Sequence, residues 1–411
     1  MSDPAEQPRV ATPSLPAAPA HAGTPREVLA TSLLLGVSCF GGPIAHLGYY
    51  RAALVERRRW LDERAFADLV GLAQFLPGPA SSQTLFAIGL LRAGYLGGLA
   101  AFVGFTLPSA VLMVLFAYAA SGIAASPAGA GLLHGLKLVA VAIVAQAVWG
   151  MARNLCPDRP RASIALAATL LVVFAPAALG QIAAIAGGAL AGLLLCRDSP
   201  AMLPERSPAP VSRRVGAACL ALFAALLLLP LLARTFSPTI AIFDAFYRSG
   251  ALVFGGGHVV LPLLRAAVVS PGWISENAFL AGYGAAQAIP GPLFTFSAYL
   301  GTLLNLGPGG IPGAALALVA IFLPGLLLIT GTLPFWDALR GRSGAQAAMR
   351  GVNAAVVGVL GAALYSPVWT SAVLSPADFA VALAGFVLLA VWRSPPLLVV
   401  ILSAAAGVGL G

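Results

Sequence analysis

Two segments of the sequence combine a Pro-Gly-Pro tripeptide with side chains that can bind an anion. They read QFLPGPASSQ at 74–83 and QAIPGPLFTFS at 287–297. A proline stops the incoming helix and suits the first turn of the next one, so a new helix is predicted to start after each motif. Its free N–H groups, partial positive charge and neighbouring hydroxyls suit an anion. A tight loop between two complete spans is the alternative, and the repetition of the motif favours a site.

Glycine clusters occur at a second pair of motifs, FGGP at 40–43 and FGGGH at 254–258. Glycine permits close backbone approach or local unwinding, and small residues also simply pack helices together in membranes. His46 and His258 follow these glycines and can bond an oxyanion or carry a proton. For each histidine, a structural hydrogen bond is the competing interpretation.

Few charged residues interrupt the apolar tracts. A charged side chain inside such a tract indicates a functional role. Lys137 either faces an anion path or extends its side chain to the nearby loop. Arg248 either pairs with Asp244, four residues earlier on one helix, or reaches the site below the glycines. Asp68 is the carboxylate predicted for proton coupling, with a solvated acid at a hairpin end as the alternative.

The sequence therefore yields three groups of candidate residues. The predicted substrate ligands are Gln74, Ser81, Ser82, Gln83, Lys137, Arg248, Gln287, Thr295 and Ser297. Of these, Gln74 and Gln287 are predicted to orient the two breaks. The predicted backbone and gating positions are Gly41, Gly42, Pro77, Gly78, Pro79, Gly255, Gly256, Gly257, Pro290, Gly291 and Pro292. The predicted proton-coupling groups are His46, Asp68 and His258. We expect no catalytic residues, metal or cofactor, because no nucleotide-binding glycine-lysine loop, His-Glu-x-x-His helix or Gly-x-Ser-x-Gly elbow is present.

Membrane helices are the elements predicted to position these residues. Of the 411 residues, 59% are hydrophobic and 9% are charged, whereas soluble domains are about 25% charged. A span needs about 20 apolar residues, so this length allows roughly ten to fourteen crossings. The net charge of +9 comes mostly from arginines in short loops, which is the pattern of cytoplasmic loops. The composition excludes a soluble enzyme and predicts no nucleic-acid partner.

The two halves of the chain are similar to each other. The Phe-Gly-Gly and Pro-Gly-Pro motifs each occur twice, the second of them at a shift of 213 residues. Arginines fill the loop at 51–64 but are scarce in its counterpart at 265–277, and the bias is reversed between 122–130 and 336–350. The reversal predicts repeats of inverted topology. Inversion requires an odd number of crossings between corresponding helices, and the tract at 162–196 is long enough to cross once or twice.

The fold class predicted from these patterns is an all-α polytopic membrane protein of two homologous repeats with broken helices. The predicted divisions are a disordered tail (1–25), a first repeat (26–196), a polar linker (197–214), a connecting transmembrane helix (215–237) and a second repeat (238–411). Pro-Gly-Pro interrupts the stretches at 65–92 and 278–304, so each is predicted to form a helical hairpin or two half-helices.

The motifs FGGPIAHLGYYR, ERRRWLDE, QFLPGPASSQ and GFTLPSA in the first half, with SGALVFGGGHVVLPLL and GYGAAQAIPGPLFTFSAYLG in the second, resemble the chromate ion transporter family in its long-chain form. The resemblance covers nearly everything from residue 28 onward. It implies a two-domain, multi-pass inner-membrane protein that exports chromate, uses the proton gradient and confers chromate resistance. It also implies sulfate as a related oxyanion. The sequence departs from the expected pattern at Ala52-Ala53 and Ala266-Ala267, where polar or acidic residues are expected.

Two alternatives stay open at this point. The same fold can transport sulfate or another anion, as a carrier or as a channel. An integral-membrane enzyme that acts on a lipid or reduces chromate is disfavoured, because the sequence shows no paired carboxylates, metal cluster or redox-cofactor motif. Chromate and the lipid bilayer are the expected partners, and a homo-oligomer is compatible with the sequence.

Overall fold

The computed structural model describes residues 23–124, 126–175, 177–196, 211–233, 237–254, 257–336, 338 and 342–410. Within these residues the chain is helical and has no β-strand. Most of the predicted tail (1–25) and linker (197–214), together with Gly255 and Gly256, lie outside them. The helices are α1 (Pro25–Ser38), α2 (Gly42–Tyr50), α3 (Glu63–Phe75), α4 (Ala80–Ala124), α5 (Pro127–Leu155), α6 (Arg159–Phe174), α7 (Ala177–Leu195), α8 (Arg213–Ala233), α9 (Pro238–Ala251), α10 (Val260–Leu264), α11 (Glu276–Ala286), α12 (Phe296–Leu303), α13 (Gly310–Thr332), α14 (Ser343–Ala363), α15 (Pro376–Ala390) and α16 (Pro396–Leu410).

Apolar side chains cover much of the outer surface of these helices. Leu96, Leu107 and Leu115 of α4 are 68%, 51% and 59% exposed. Four helical stretches in the described part are long and apolar enough to cross a membrane, at 80–120, 127–155, 310–335 and 343–372. Lipid rather than water accounts for an exposed apolar surface of this extent, which confirms the predicted polytopic membrane fold.

The helix α4 is two helices joined at a sharp turn. Ala93 and Gly94 have non-helical backbone angles, with φ of −144° and +65°. The arms before and after the turn pack so closely that a Cβ on Gly89 would collide with the Gly97 carbonyl, and a Cβ on Gly97 would collide with the Gly89 carbonyl. The first arm, 80–92, is therefore a half-helix about 20 Å long. Pro-Gly-Pro joins it to α3, which confirms the predicted break in this stretch.

The second half repeats this arrangement. Pro-Gly-Pro joins α11 to a 3₁₀ turn (Leu293–Thr295) that leads into the short helix α12. Gly301 of α12 and Gly313 of α13 approach each other as Gly89 and Gly97 do in the first half. Both halves thus build a broken helix pair followed by a long helix that contains a proline, Pro108 in α4 and Pro324 in α13.

The last helices of each half pack against the other half. Gly135 of α5 lies against the Ser403 carbonyl of α16, and Gly351 of α14 lies against the Gly188 carbonyl of α7. Gly135 and Gly351 correspond at a shift of 216 residues. The two contacts are therefore equivalent under a pseudo-two-fold relation, and small residues permit both of them.

The tract at 162–196, whose number of crossings the sequence leaves open, forms two helices. These are α6 and α7, and they fold back on each other so that Gly180 approaches Leu171 and Ala175. The helix α8 covers most of the stretch predicted as a connecting span, and Gly216 near its start packs against Gly331 of α13.

Gly135→Val is expected to lower the melting temperature of the detergent-purified protein by about 5 °C or more. The added side chain has to displace the backbone of α16, since even a Cβ there meets Ser403 and Ala404. The matched control is Gly150→Val on the same helix, where a Cβ has nothing within 4 Å. Equal melting temperatures for the two variants contradict the packing role.

Candidate functional site

Backbone hydrogen bonds between the two halves hold the Pro-Gly-Pro loops. The Gly78 N–H donates to the Val253 carbonyl at 2.7 Å, and the Gly291 N–H donates to the Cys39 carbonyl at 2.9 Å. Cys39 and Val253 each come immediately before a Phe-Gly-Gly motif. The break of each half is therefore bound to the glycine motif of the other half, which brings all four motifs together.

Glycine is required at the centre of both loops. Gly78 has φ of +120° and Gly291 has φ of +98°, in the region that residues with a side chain rarely adopt. A Cβ on Gly78 lies 3.1 Å from the Gly325 Cα, and a Cβ on Gly291 lies 2.7 Å from the Ser109 Oγ. Ser109 and Gly325 each follow the proline of the long helix of the opposite half.

Gln83 holds the first break in its observed shape. Its Nε2 donates to the Pro77 carbonyl at 3.0 Å and to the Gly325 carbonyl at 3.1 Å. Gln74, which the sequence suggests as the orienting residue, has an exposed side chain on α3. The amide that satisfies the loop carbonyl thus comes from the outgoing half-helix, and Gln83 takes the place expected for Gln74.

The hydroxyl groups predicted as ligands are buried beside the two breaks. Ser81 Oγ lies 3.3 Å from His46 Nδ1, and Thr295 Oγ1 donates to the Pro292 carbonyl at 2.8 Å. Ser82 and Ser297 are 2% and 0% exposed.

Several buried polar atoms in this region have no hydrogen-bond partner within the described residues. They are Ser82 Oγ, Ser297 Oγ, Gln83 Oε1, Gln287 Nε2 and His46 Nε2. An unsatisfied buried polar group costs about 1–3 kcal/mol, so a group of them is unusual in a structural core. Such a group is typical of a site that binds a polar ligand.

A cavity of about 50 Å³ opens where the motifs meet. Its lining includes Gly41, Gly42, Gln146, His258, Gln287 and Gly291. His258 is held by Tyr283, whose hydroxyl lies 2.7 Å from His258 Nδ1. Gln146 is not among the residues predicted from the sequence. The available signal was an amide inside the apolar run VAIVAQAVW, since a polar side chain at membrane depth is costly unless it has a partner.

The charged candidates lie away from this cavity. Lys137 Nζ donates to Asn277 Oδ1 at 3.3 Å, and its Cα is about 13 Å from that of Gln146 along α5. Arg248 pairs with Asp244 at 2.6 Å and donates to the Leu227 carbonyl of α8. Arg248 therefore forms the ion pair with Asp244 that was the alternative for this residue, whereas Lys137 contacts Asn277 near the start of α11.

The remaining candidates are divided between the two motif regions and α3. Gly257 is buried, and a Cβ on it would lie 3.6 Å from both Pro43 and Leu293. Asp68 is half-buried on α3 and is not part of the cavity lining. Hydroxyl, amide and imidazole groups therefore make up the polar side chains that line the cavity or surround the breaks in the described residues.

The family comparison matches the same two halves that exchange these hydrogen bonds. The sequence model described as "Chromate transporter" matches residues 26–193 and again residues 240–408. The chain belongs to the chromate transporter family. This is a family of transporters and not of enzymes, so the chain is a membrane transport protein.

Relatives of this chromate transporter family member align over most of its length. The chromate transport protein of Pseudomonas aeruginosa is 29% identical over 397 residues, 93% of this chain and 91% of the relative. The probable chromate transport protein of Synechococcus elongatus is 30% identical over 337 residues, 81% of each chain. The chromate transport protein of Cupriavidus metallidurans is 26% identical over 362 residues, 88% of this chain and 86% of the relative. No solved structure matches the chain.

Gly291→Ala is expected to abolish transport by this family member while the protein still inserts into the membrane. The substitution places a Cβ at a positive φ and against Ser109, which displaces the loop and its bond to Cys39. The measurement is anion flux in proteoliposomes. Gly48→Ala in α2, where a Cβ has nothing within 4 Å, is the control. Normal flux in the Gly291 variant contradicts the role of this loop.

Proposed function

We propose that this chain exports chromate across the inner membrane as a secondary active transporter, uses the proton gradient and confers chromate resistance. The observation that carries the proposal is the meeting of two broken helices around buried, unpartnered hydroxyl and amide groups. Discontinuous helices at membrane depth form the substrate sites of many secondary transporters. The names of the relatives supply the substrate, and tetrahedral oxyanions accept hydrogen bonds from the kinds of donor present here.

Helix directions support inverted repeats. The Gly23 N–H bonds the Arg92 carbonyl, and Gly36 approaches Gly104, so α1 runs parallel to the second arm of α4. In the second half α9 runs parallel to α13, since Gly307 approaches Pro238 near the start of α9 and Gly250 approaches Ile321 near its end. The helices α5, α6, α7 and α8 lie between the second arm of α4 and α9, and α9 is parallel to α13, the equivalent of that arm. If each of the four crosses once, that arm and α13 run in opposite directions.

The distribution of arginines supports an orientation. Arginines lie where α4 turns, where α5 ends, where α6 and α8 begin and before α14. They are Arg92, Arg153, Arg159, Arg213 and Arg342. In the inverted arrangement these positions share one face, whereas Arg265 belongs to the other. The positive-inside rule makes the arginine-rich face cytoplasmic.

The proposed anion site uses the starts of the half-helices that follow Pro79 and Pro292. Ser82, Ser297 and Gln287 donate to the anion, and Gln83 keeps the first loop in shape. Neutral donors and helix dipoles hold the dianion in this site, and no fixed cation neutralises it. Because the anion is not held by an opposite charge, it can be released as well as bound. His46 and His258 are the proton carriers that the geometry favours, since His46 contacts Ser81 and His258 lines the cavity, whereas Asp68 does not.

The same site can accept sulfate or another tetrahedral anion, and a channel is the second mechanism to test. Preloaded proteoliposomes separate these possibilities. A carrier shows faster uptake of labelled chromate when unlabelled chromate is present inside, and a channel does not. Acceleration by internal sulfate identifies sulfate as a second substrate.

Ser82→Ala combined with Ser297→Ala is expected to lower chromate export about tenfold or more, because two donors to a charged ligand are removed. The measurement is chromate flux in everted membrane vesicles, normalised to inserted protein. Thr84→Val is the matched control, because the buried Thr84 hydroxyl already donates to the Ala80 carbonyl of its own helix. Wild-type flux in the double variant overturns this assignment of the donors.

Cells that express the chain are expected to accumulate less chromate than cells without it, and a protonophore is expected to remove the difference. The reason is that export against a gradient requires an energy source, and a single chain without a nucleotide-binding motif draws it from an ion gradient. Higher accumulation on expression contradicts the export direction. Export that continues with the protonophore, at unchanged ATP, contradicts proton driving.

A further inference from the structure

A second cavity, of about 340 Å³, lies in the described residues beside α14 and α7, the helices that correspond to α5 and α16 beside the first cavity. Val359 and Ala362 of α14 line it, and they correspond at a shift of 216 residues to Ile143 and Gln146, which line the first cavity. Gln181 near the start of α7 lines it as Pro396 at the start of α16 lines the first. The two cavities thus share one equivalent wall in the two repeats, and the second cavity is the larger.

The second cavity differs from the first because a guanidinium lines it. Arg265 reaches the cavity from the start of a π-helical turn, Arg265–Val269. Glu276 binds this guanidinium, with Nε at 3.1 and 2.9 Å from its two oxygens and Nη2 at 2.9 Å from Oε2. The side chains are 31% and 25% exposed, so the pair is partly removed from solvent. Within the described residues, Nη1 has no protein partner.

Polar side chains from two other elements complete the lining. Tyr365 and Ser366 belong to the turn that follows α14 and line the cavity, and both are exposed residues that carry hydroxyls. Gln181 is 7% exposed and its Nε2 donates to the Pro262 carbonyl at 3.2 Å, which fixes the wall beside Arg265. One guanidinium with two hydroxyls is a donor set for a tetrahedral oxyanion, since guanidinium binds such anions through paired N–H groups.

We propose that this second cavity is a separate oxyanion site, at which a dianion displaces Glu276 from Arg265. The inference rests on the proposed function in taking the transported oxyanion as the ligand. The carboxylate carries one negative charge and the incoming oxyanion carries two. In a partly desolvated cavity the attraction of the guanidinium for either anion is larger than in water, and at equal distance the doubly charged ligand gains more from it than the carboxylate does. By the arginine distribution this site lies on the face opposite the cytoplasm, where an exported anion leaves.

The first half provides an internal control. Arg51 and Glu63 form the corresponding ion pair at 2.6 Å, and Arg51 also begins a π-helical turn, Arg51–Arg57. These side chains are 52% and 57% exposed, and neither residue belongs to the lining of either cavity. In both halves the ion pair therefore joins the π-helical turn to the first residue of the next helix. In the second half the arginine of this pair also lines a cavity.

The test is equilibrium binding of sulfate to the purified full-length protein in detergent, measured by titration calorimetry. Arg265→Gln is expected to weaken binding at one site about tenfold, whereas Glu276→Gln is expected to tighten it about fivefold, because the competing carboxylate is gone. Arg51→Gln and Glu63→Gln are expected to leave both binding constants within about twofold. A purely structural ion pair predicts the same direction for Arg265→Gln and Glu276→Gln, and that result overturns the proposal.

A lipid phosphate has the same chemistry as the free oxyanion, and a second arm separates the two. Native mass spectrometry is run on the same samples before and after delipidation. Sulfate binding that is abolished by Arg265→Gln in delipidated protein supports the oxyanion site. A phospholipid retained by the wild type and lost in Arg265→Gln, with no effect of the variant on sulfate, overturns it. Failure of chromate export in cells, with this binding intact, counts against the proposed function and not against the second site.

Discussion

The exchange of two backbone hydrogen bonds between the halves is the constraint on which the structure depends. The N–H groups of Gly78 and Gly291 lie in loops inside the membrane protein and bond the carbonyls of Val253 and Cys39. An unpaired peptide group in the hydrocarbon region costs several kcal/mol. The partner of each group belongs to the opposite repeat. Neither broken helix therefore satisfies its own backbone, and one repeat alone is not a complete fold.

The same constraint determines where small residues are needed. A loop that bonds a distant carbonyl has to approach another helix closely, so glycine occupies positive φ at 78 and 291 and lies within contact of Gly325 and Ser109. Glycines 135 and 351 permit the corresponding crossings farther from the centre. Two helices that touch through their backbones rather than through long side chains can slide past each other with little rotamer rearrangement. The arrangement is therefore compatible with rocking of one repeat against the other around a fixed centre.

The sequence predicts the parts of this structure that follow from local rules. Proline and glycine mark the breaks, hydropathy gives the membrane helices, and the repetition of motifs reveals two halves. It does not predict which amide orients the first break, because Gln74 lies three residues before the Pro-Gly-Pro tripeptide and Gln83 lies four residues after it. Only the packing of α13 directs Gln83 toward the loop. Gln146 was missed for a similar reason, since its place in one cavity with Gln287 and Gly291 depends on how α5 crosses the other half. Contacts between distant segments are set by tertiary packing, which periodicity does not encode.

The placement of charge connects the two cavities. The first is lined by neutral donors from both repeats, and Lys137 and Arg248 are engaged elsewhere by Asn277 and Asp244. The second is lined by Arg265, which is held by Glu276. A dianion that leaves a neutral central site loses hydrogen bonds and helix-dipole stabilisation as it moves. In the proposed export direction, a guanidinium on the exit side would offset part of that loss, and the adjacent carboxylate would keep the gain small enough for the anion to leave. A cation in the central site would deepen the binding well and slow release. The segregation of neutral donors to the centre and an ion pair to one face is therefore the arrangement expected of a carrier that must both bind and release a doubly charged anion.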